Sequence, residues 1–67
     1  MFFSSSAKSK PKFEVNKNSD GQYYFQLIAA NGKIIATSEK FATKENCMQG
    51  IELVKSSATS ADIVDWT

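Results

Sequence analysis

Apolar and polar residues alternate along KFEVNK: Phe13 and Val15 fall on one face, Lys12, Glu14 and Asn16 on the other. A period of two with one wet side predicts a half-buried strand. QYYFQLIAA, residues 22–30, is also strand-like and rich in aromatics. Its odd positions, Tyr23, Phe25, Leu27 and Ala29, form the expected core face. Its even positions, which include Tyr24, Gln26 and Ile28, form the outer face. A third apolar run, IIAT, follows Asn31-Gly32.

The turns tie these faces together, because directly opposed residues in an antiparallel ladder share a face. Between the first two runs, a two-residue Asp20-Gly21 loop would set Asn16 opposite Phe25, a mismatch. A three-residue loop, Ser19-Asp20-Gly21, sets Val15 opposite Phe25 and Phe13 opposite Leu27. The pattern selects the longer loop, with Gly21 as its left-handed residue. Asn31-Gly32 predicts a two-residue type I′ loop. That loop would pair Ala29 with Ile34, Ile28 with Ile35 and Leu27 with Ala36. Ile34 and Ala36 would then join the core face, and Ile35 and Thr37 the outer one.

The period changes after Phe41. TKENCMQGIELVKSSA, residues 43–58, predicts a helix capped by Thr43, with Glu45 in its first turn. At 100° per residue, Cys47, Ile51, Val54 and Ala58 make a narrow apolar stripe. Gly50 borders the stripe, and Met48 and Leu53 flank it. A glycine inside a helix costs about 1 kcal/mol against alanine, so close approach of helix to sheet is its expected use. After SSATS, the run ADIVDW predicts a short last strand, with Val64 and Trp66 on one face. The fold class is α+β: a β-β-β-α-β unit in which one helix covers one face of an antiparallel meander.

Residues 1–11 carry no such period. SSSAKSKP is small, polar and basic and predicts a flexible tail, leaving residues 12–67 as the domain. MFF followed by this segment is too short and too polar for a secretory signal. No apolar run approaches the ~20 residues that span a bilayer. A soluble cytoplasmic protein, without membrane attachment, is expected.

Composition narrows the chemistry. The chain has 67 residues, no His and one Cys, which rules out an intrachain disulfide and the usual zinc ligand sets. So small a core commonly needs a supplement, and self-association is the one left open. The net charge is +1, and all eight basic residues are lysines. Nucleic-acid binders favour a basic surplus and the forked contacts of Arg, and neither is present.

KFEV, DGQYYFQLIAANGKIIATSEKF, GIELVK and IVDWT, in this order, resemble the YegP-like family of small bacterial proteins. The likeness runs from Lys12 to Thr67. Phe41 stands where that pattern has Tyr, and Leu53 where a polar residue is common. The family is one of unknown function. The resemblance implies a β-β-β-α-β unit, found singly or in tandem, in which two units form one sheet and exchange their last strands. For a single unit it implies a homodimer, with Val64, Trp66 and Leu53 as candidate contacts. It carries over no catalytic residue and no cofactor.

Ser38-Glu39 is the best polar candidate for chemistry. A serine nucleophile needs a positioned base, and neighbouring residues at a strand end point apart. Side-chain bonds to loose backbone groups are the expected role. Asp62 and Asp65, with Glu14 or Glu39, lack a metal-site spacing. Cys47 lies on the packing stripe, where thiols are usually inert. No catalytic, cofactor or metal site is expected, and the chain is read as a non-enzyme. The outer face carries Tyr24, Ile28 and Ile35 among polar residues, a candidate patch for a protein or small ligand. The alternative is weak single-stranded nucleic-acid binding through lysines and Tyr24.

Overall fold

The computed structural model describes residues 10–67. Three strands, β1 (Lys12–Lys17), β2 (Tyr23–Ile28) and β3 (Ile34–Thr37), precede one helix, α1 (Lys44–Ala58). They form an antiparallel sheet in the order β1-β2-β3. The expected tail over residues 1–11 falls, for residues 1–9, outside the described residues; Lys10 is exposed and lies outside the strands.

The first hairpin has the register that the hydrophobic pattern selects, with Val15 opposite Phe25 and Phe13 opposite Leu27. Its loop is Ser19-Asp20-Gly21. The Gly21 N–H donates to the Asn18 carbonyl at 3.1 Å, and Gly21 has φ +80°. The Asn18 side chain adds local support, its Oδ1 accepting from the amides of Asp20 and Gln22.

The second hairpin departs from the expected type I′ loop. Ala29 N–H donates to Lys33 C=O and Gly32 N–H to Ala29 C=O, both at 2.8 Å. The loop is therefore Ala30-Asn31-Gly32, with Gly32 at φ +89°. It repeats the first hairpin: a tight turn closed by one left-handed glycine, where type I′ needs two left-handed residues. The extra loop residue sets Ile34 opposite Ile28, and a bulge then restores Leu27 opposite Ala36. Ile34 consequently joins the outer face, not the core face. Ala36 and Thr37 keep their expected sides.

Ser38 continues the ladder beyond β3 by using its side chain. Phe25 N–H donates to Ser38 Oγ at 2.9 Å, and Ser38 N–H donates to Phe25 C=O at 2.9 Å. The chain then returns to the sheet at Phe41, which exchanges both backbone bonds with Tyr23 at 2.8 and 2.7 Å. Thr43 caps α1 as expected, its Oγ1 accepting from Asn46 N–H at 3.1 Å.

The core is small. Phe25, Cys47 and Ile51 are buried together, with Phe13, Val15, Tyr23 and Phe41 packed around them. Phe13 meets Phe25 edge-on at 5.8 Å, and Phe41 stacks on Phe25 at 6.2 Å. Helix α1 packs on β2 and β1 and leaves the β3 side of the core face uncovered. The helical stripe is accordingly buried only in its first half: Cys47 and Ile51 are inside, whereas Val54 and Ala58 are exposed.

The expected last strand does not form among the described residues. Residues 61–67 have no ladder partner among the described residues, and Ile63, Val64 and Trp66 are 97%, 67% and 92% exposed. Their hydrogen bonds to described residues are local ones, from the Thr67 N–H and hydroxyl to Asp65 Oδ1. The described fold is thus α+β with three strands and one helix, without a fourth strand.

Gly50 sits at the tightest point between the layers. A Cβ there would lie 2.9 Å from Phe41 Cζ and 3.3 Å from Phe25 Cε2. Gly50→Leu should therefore destabilise by about 1–3 kcal/mol through overpacking. Thermal unfolding checks this, each kcal/mol lowering the melting temperature by about 4–8 °C. An unchanged melting temperature would mean that the layers separate without cost.

Candidate functional site

Ser38-Glu39 is a structural junction. The Ser38 hydroxyl accepts from Phe25 N–H and donates to the Glu39 carbonyl at 2.7 Å. The hydroxyl both accepts and donates in these bonds, and among the described residues it makes no hydrogen bond to a side-chain base. Its work is to close the ladder where β3 turns away. The carboxylate of Glu39, by contrast, has no hydrogen-bond or ion-pair partner among the described residues.

Cys47 is fully buried. Loss of hydration pushes its thiol above the ordinary range, so the reactive thiolate is disfavoured. The Asp65 carboxylate is held below its ordinary value, chiefly by the Thr67 hydroxyl and then by the Thr67 amide. Both groups lie at the exposed chain end. Among the described residues, no three side chains of the His, Cys, Asp and Glu types gather as a metal site. Asp62 and Asp65 join neither Glu14 nor Glu39 in such a group.

Two concave surfaces stand out among the described residues. One is an open hollow of about 550 Å³ on the outer face, lined by Lys12, Glu14, Gln26, Ile28 and Ile34 among others. Lys12 and Glu14 are paired there at 3.0 Å. The candidate patch residues are not equivalent. Ile28 is only 8% exposed, whereas Ile35, the bulged residue, is 60% exposed. Tyr24 is half-buried, with the Lys40 ammonium 5.5 Å from its ring centre. The sequence pattern placed Ile28 on the correct face. It gave no sign of the hollow, which depends on the longer second loop.

The other surface is a groove of about 360 Å³ on the open side of the core face. Phe25, Phe41, Leu53 and Val54 line it, with Gly50, Ser38 and Glu39. Leu53, whose place the sequence left open, is 66% exposed at this groove. That Phe41 walls a groove follows from the helix leaving β3 uncovered.

The fold and these two surfaces define a small α+β module, a single sheet backed on one side by one helix. The chain belongs to the family described as Domain of unknown function (DUF1508), which matches residues 18–65. A UPF0339 protein of Methanosarcina acetivorans is 45% identical over 53 residues, 79% of this chain and 91% of that protein. The UPF0339 protein YegP of Escherichia coli is 36% identical over 63 residues, 94% of this chain and 57% of that protein. The chain is also similar to a protein from Haloferax volcanii solved by NMR in solution. The TM-score is 0.76 and the identity 38%, over 85% of this chain and 97% of that one. The expected family and α+β class are thereby established, and the family is one of unknown function. No described helix is long and apolar enough to cross a membrane.

Two measurements check the roles assigned here. Ser38→Ala removes the acceptor of a part-buried amide and should cost about 1–3 kcal/mol of stability. Chemical denaturation reads this, and an unchanged midpoint would overturn the role. Cys47 should resist a thiol reagent in native buffer and react once denaturant is added. Rapid native labelling would show that the helix–sheet layer opens easily.

Proposed function

We propose that the chain is a non-enzymatic cytoplasmic binding module that works as a homodimer and offers its outer sheet face to a protein partner or small ligand. One observation carries the homodimer. A single copy leaves Ile63, Val64 and Trp66 at 97%, 67% and 92% exposure, and it also leaves an apolar groove open beside β3. Fully burying one such side chain contributes about 1.5–3 kcal/mol, so a second copy can satisfy both surfaces at once. The outer edge of β3 supports this reading. All four of its residues are exposed, and an unpaired strand edge accepts another strand. The resemblance to a family whose units exchange their last strands favours the second copy as the source.

For the outer face, the hollow over Ile28 and the exposed Ile35 offer apolar contact within a polar frame. Nucleic-acid binding is the weaker reading. Lys40 already covers the Tyr24 ring on which a base would stack, and the net charge is +1.

Light scattering should give twice the chain mass at micromolar concentration. Deletion of residues 63–67 should abolish both the dimer and the folded signal. A monomer at high concentration would overturn the homodimer, and a dimer surviving the deletion would remove the C-terminal segment from the interface. Oligonucleotide retention that persists at moderate salt would overturn the preference for a protein or small ligand.

A further inference from the structure

We infer that Asn31 is a site of spontaneous deamidation, and that the second hairpin loop restrains the reaction by engaging the amide that must attack. The chemistry needs an asparagine side-chain carbonyl near the next residue's backbone nitrogen, with little bulk on that residue. The chain has four asparagines, and Asn31 alone precedes a glycine. Asn31 and Gly32 are both exposed. Apart from its chain neighbours, no described atom lies within 4 Å of where a Gly32 side chain would begin. A closing ring and a water molecule therefore have room there. Asn31 Oδ1 accepts from the Lys33 N–H at 3.1 Å, which turns the carboxamide back toward the following backbone. That N–H also sits at the oxygen where negative charge gathers when the carbonyl carbon is attacked.

The other candidates lack this combination. Asn18 precedes Ser19, and its carboxamide is pinned at both ends: Oδ1 accepts from the amides of Asp20 and Gln22, and Nδ2 donates to Gln22 Oε1 at 3.3 Å. Asn16 and Asn46 lie within β1 and α1, each ahead of a residue with a side chain. Asp20 precedes Gly21, but an ionised carboxylate is a poor electrophile.

Deamidation begins when base removes the Gly32 amide proton. The nitrogen then attacks Asn31 Cγ: a C–N bond forms, the Cγ–Nδ2 bond breaks, and Nδ2 leaves as ammonia. Water, the one co-reactant consumed, opens the cyclic imide at either carbonyl. The product is aspartate, or isoaspartate with the main chain rerouted through the former side chain. In the native loop the critical proton is held, because Gly32 N–H donates to Ala29 C=O at 2.8 Å. Hydrogen exchange begins with removal of the same proton, so one local opening gates both reactions. The two products differ in consequence. Aspartate keeps an oxygen for the Lys33 N–H and adds charge to that bond, so eight basic residues face eight acidic ones in place of seven. Ala30 and Gly32, on either side, line the outer hollow, and the new charge arises at its rim. Isoaspartate adds a main-chain atom to the loop whose length sets Ile34 opposite Ile28. Nothing in this chemistry needs a second copy of the chain.

The test follows the full chain at mildly alkaline pH, folded and in guanidinium, by peptide mapping that separates asparagine, aspartate and isoaspartate. In guanidinium, Asn31 should convert ahead of the other three asparagines. In the folded chain it should still convert first, slowed by at least the factor that protects the Gly32 amide from exchange, about tenfold or more. Asn31→Gln, whose longer side chain closes the ring poorly, should remain unconverted. Asn31→Asp should melt as the unaltered chain does, and the purified isoaspartyl chain should melt lower. No conversion at Asn31, or earlier conversion elsewhere, would overturn the site. A Gly32 amide that exchanges freely in the folded chain, or conversion equally fast folded and unfolded, would overturn the restraint. An isoaspartyl chain that melts like the unaltered one would overturn the dependence of the register on loop length.

Discussion

The approach of α1 to β2 at Gly50 is the contact on which the rest of the fold depends. Phe25 is held there between two rings, edge-on to Phe13 and stacked with Phe41. The helix comes close enough to bury Cys47 and Ile51 only because position 50 has no side chain. Phe41 can stack because its backbone is pinned to Tyr23 by two bonds. That return to the sheet is possible because Ser38 lends its hydroxyl to the ladder where the backbone turns away. One aromatic contact therefore links the end of β3, the loop before the helix and the helix itself.

The same contact decides what is left open. A helix seated over β2 and β1 cannot also cover β3. Val54 and Leu53 then face a groove rather than a core, and the side of the sheet that ends in Ser38 and Glu39 becomes a surface. A domain of this size gains little from its interior alone. The exposed C-terminal segment and the open groove are the two apolar surfaces that this small interior leaves uncovered.

Much of this was legible in the residues. Alternation placed Phe13, Val15, Phe25 and Leu27 on one face, and the rule that opposed residues share a face selected the three-residue first loop. Thr43, Cys47 and Ile51 marked the helix start and its buried stripe. The second loop was not legible. Asn-Gly suits both a two-residue turn and a three-residue turn with one left-handed glycine. The bulge opposite Ile28 let the longer loop keep Leu27 against Ala36. A local sequence pattern cannot register two irregularities that cancel, so Ile34 was assigned to the wrong face.

The sequence by itself determined the element order of the sheet and helix, the first hairpin's register, the helix cap and the lack of residues for a disulfide or a His-based site. These follow from short-range rules: period, turn chemistry and residue type. Only the tertiary structure decided that the helix leaves β3 bare, that Ser38 completes a ladder, that Ile28 is buried on the outer side, and that residues 61–67 find no strand among the described residues. Each of those depends on where a layer ends, and a layer's edge is set by packing between distant segments, which no local period records.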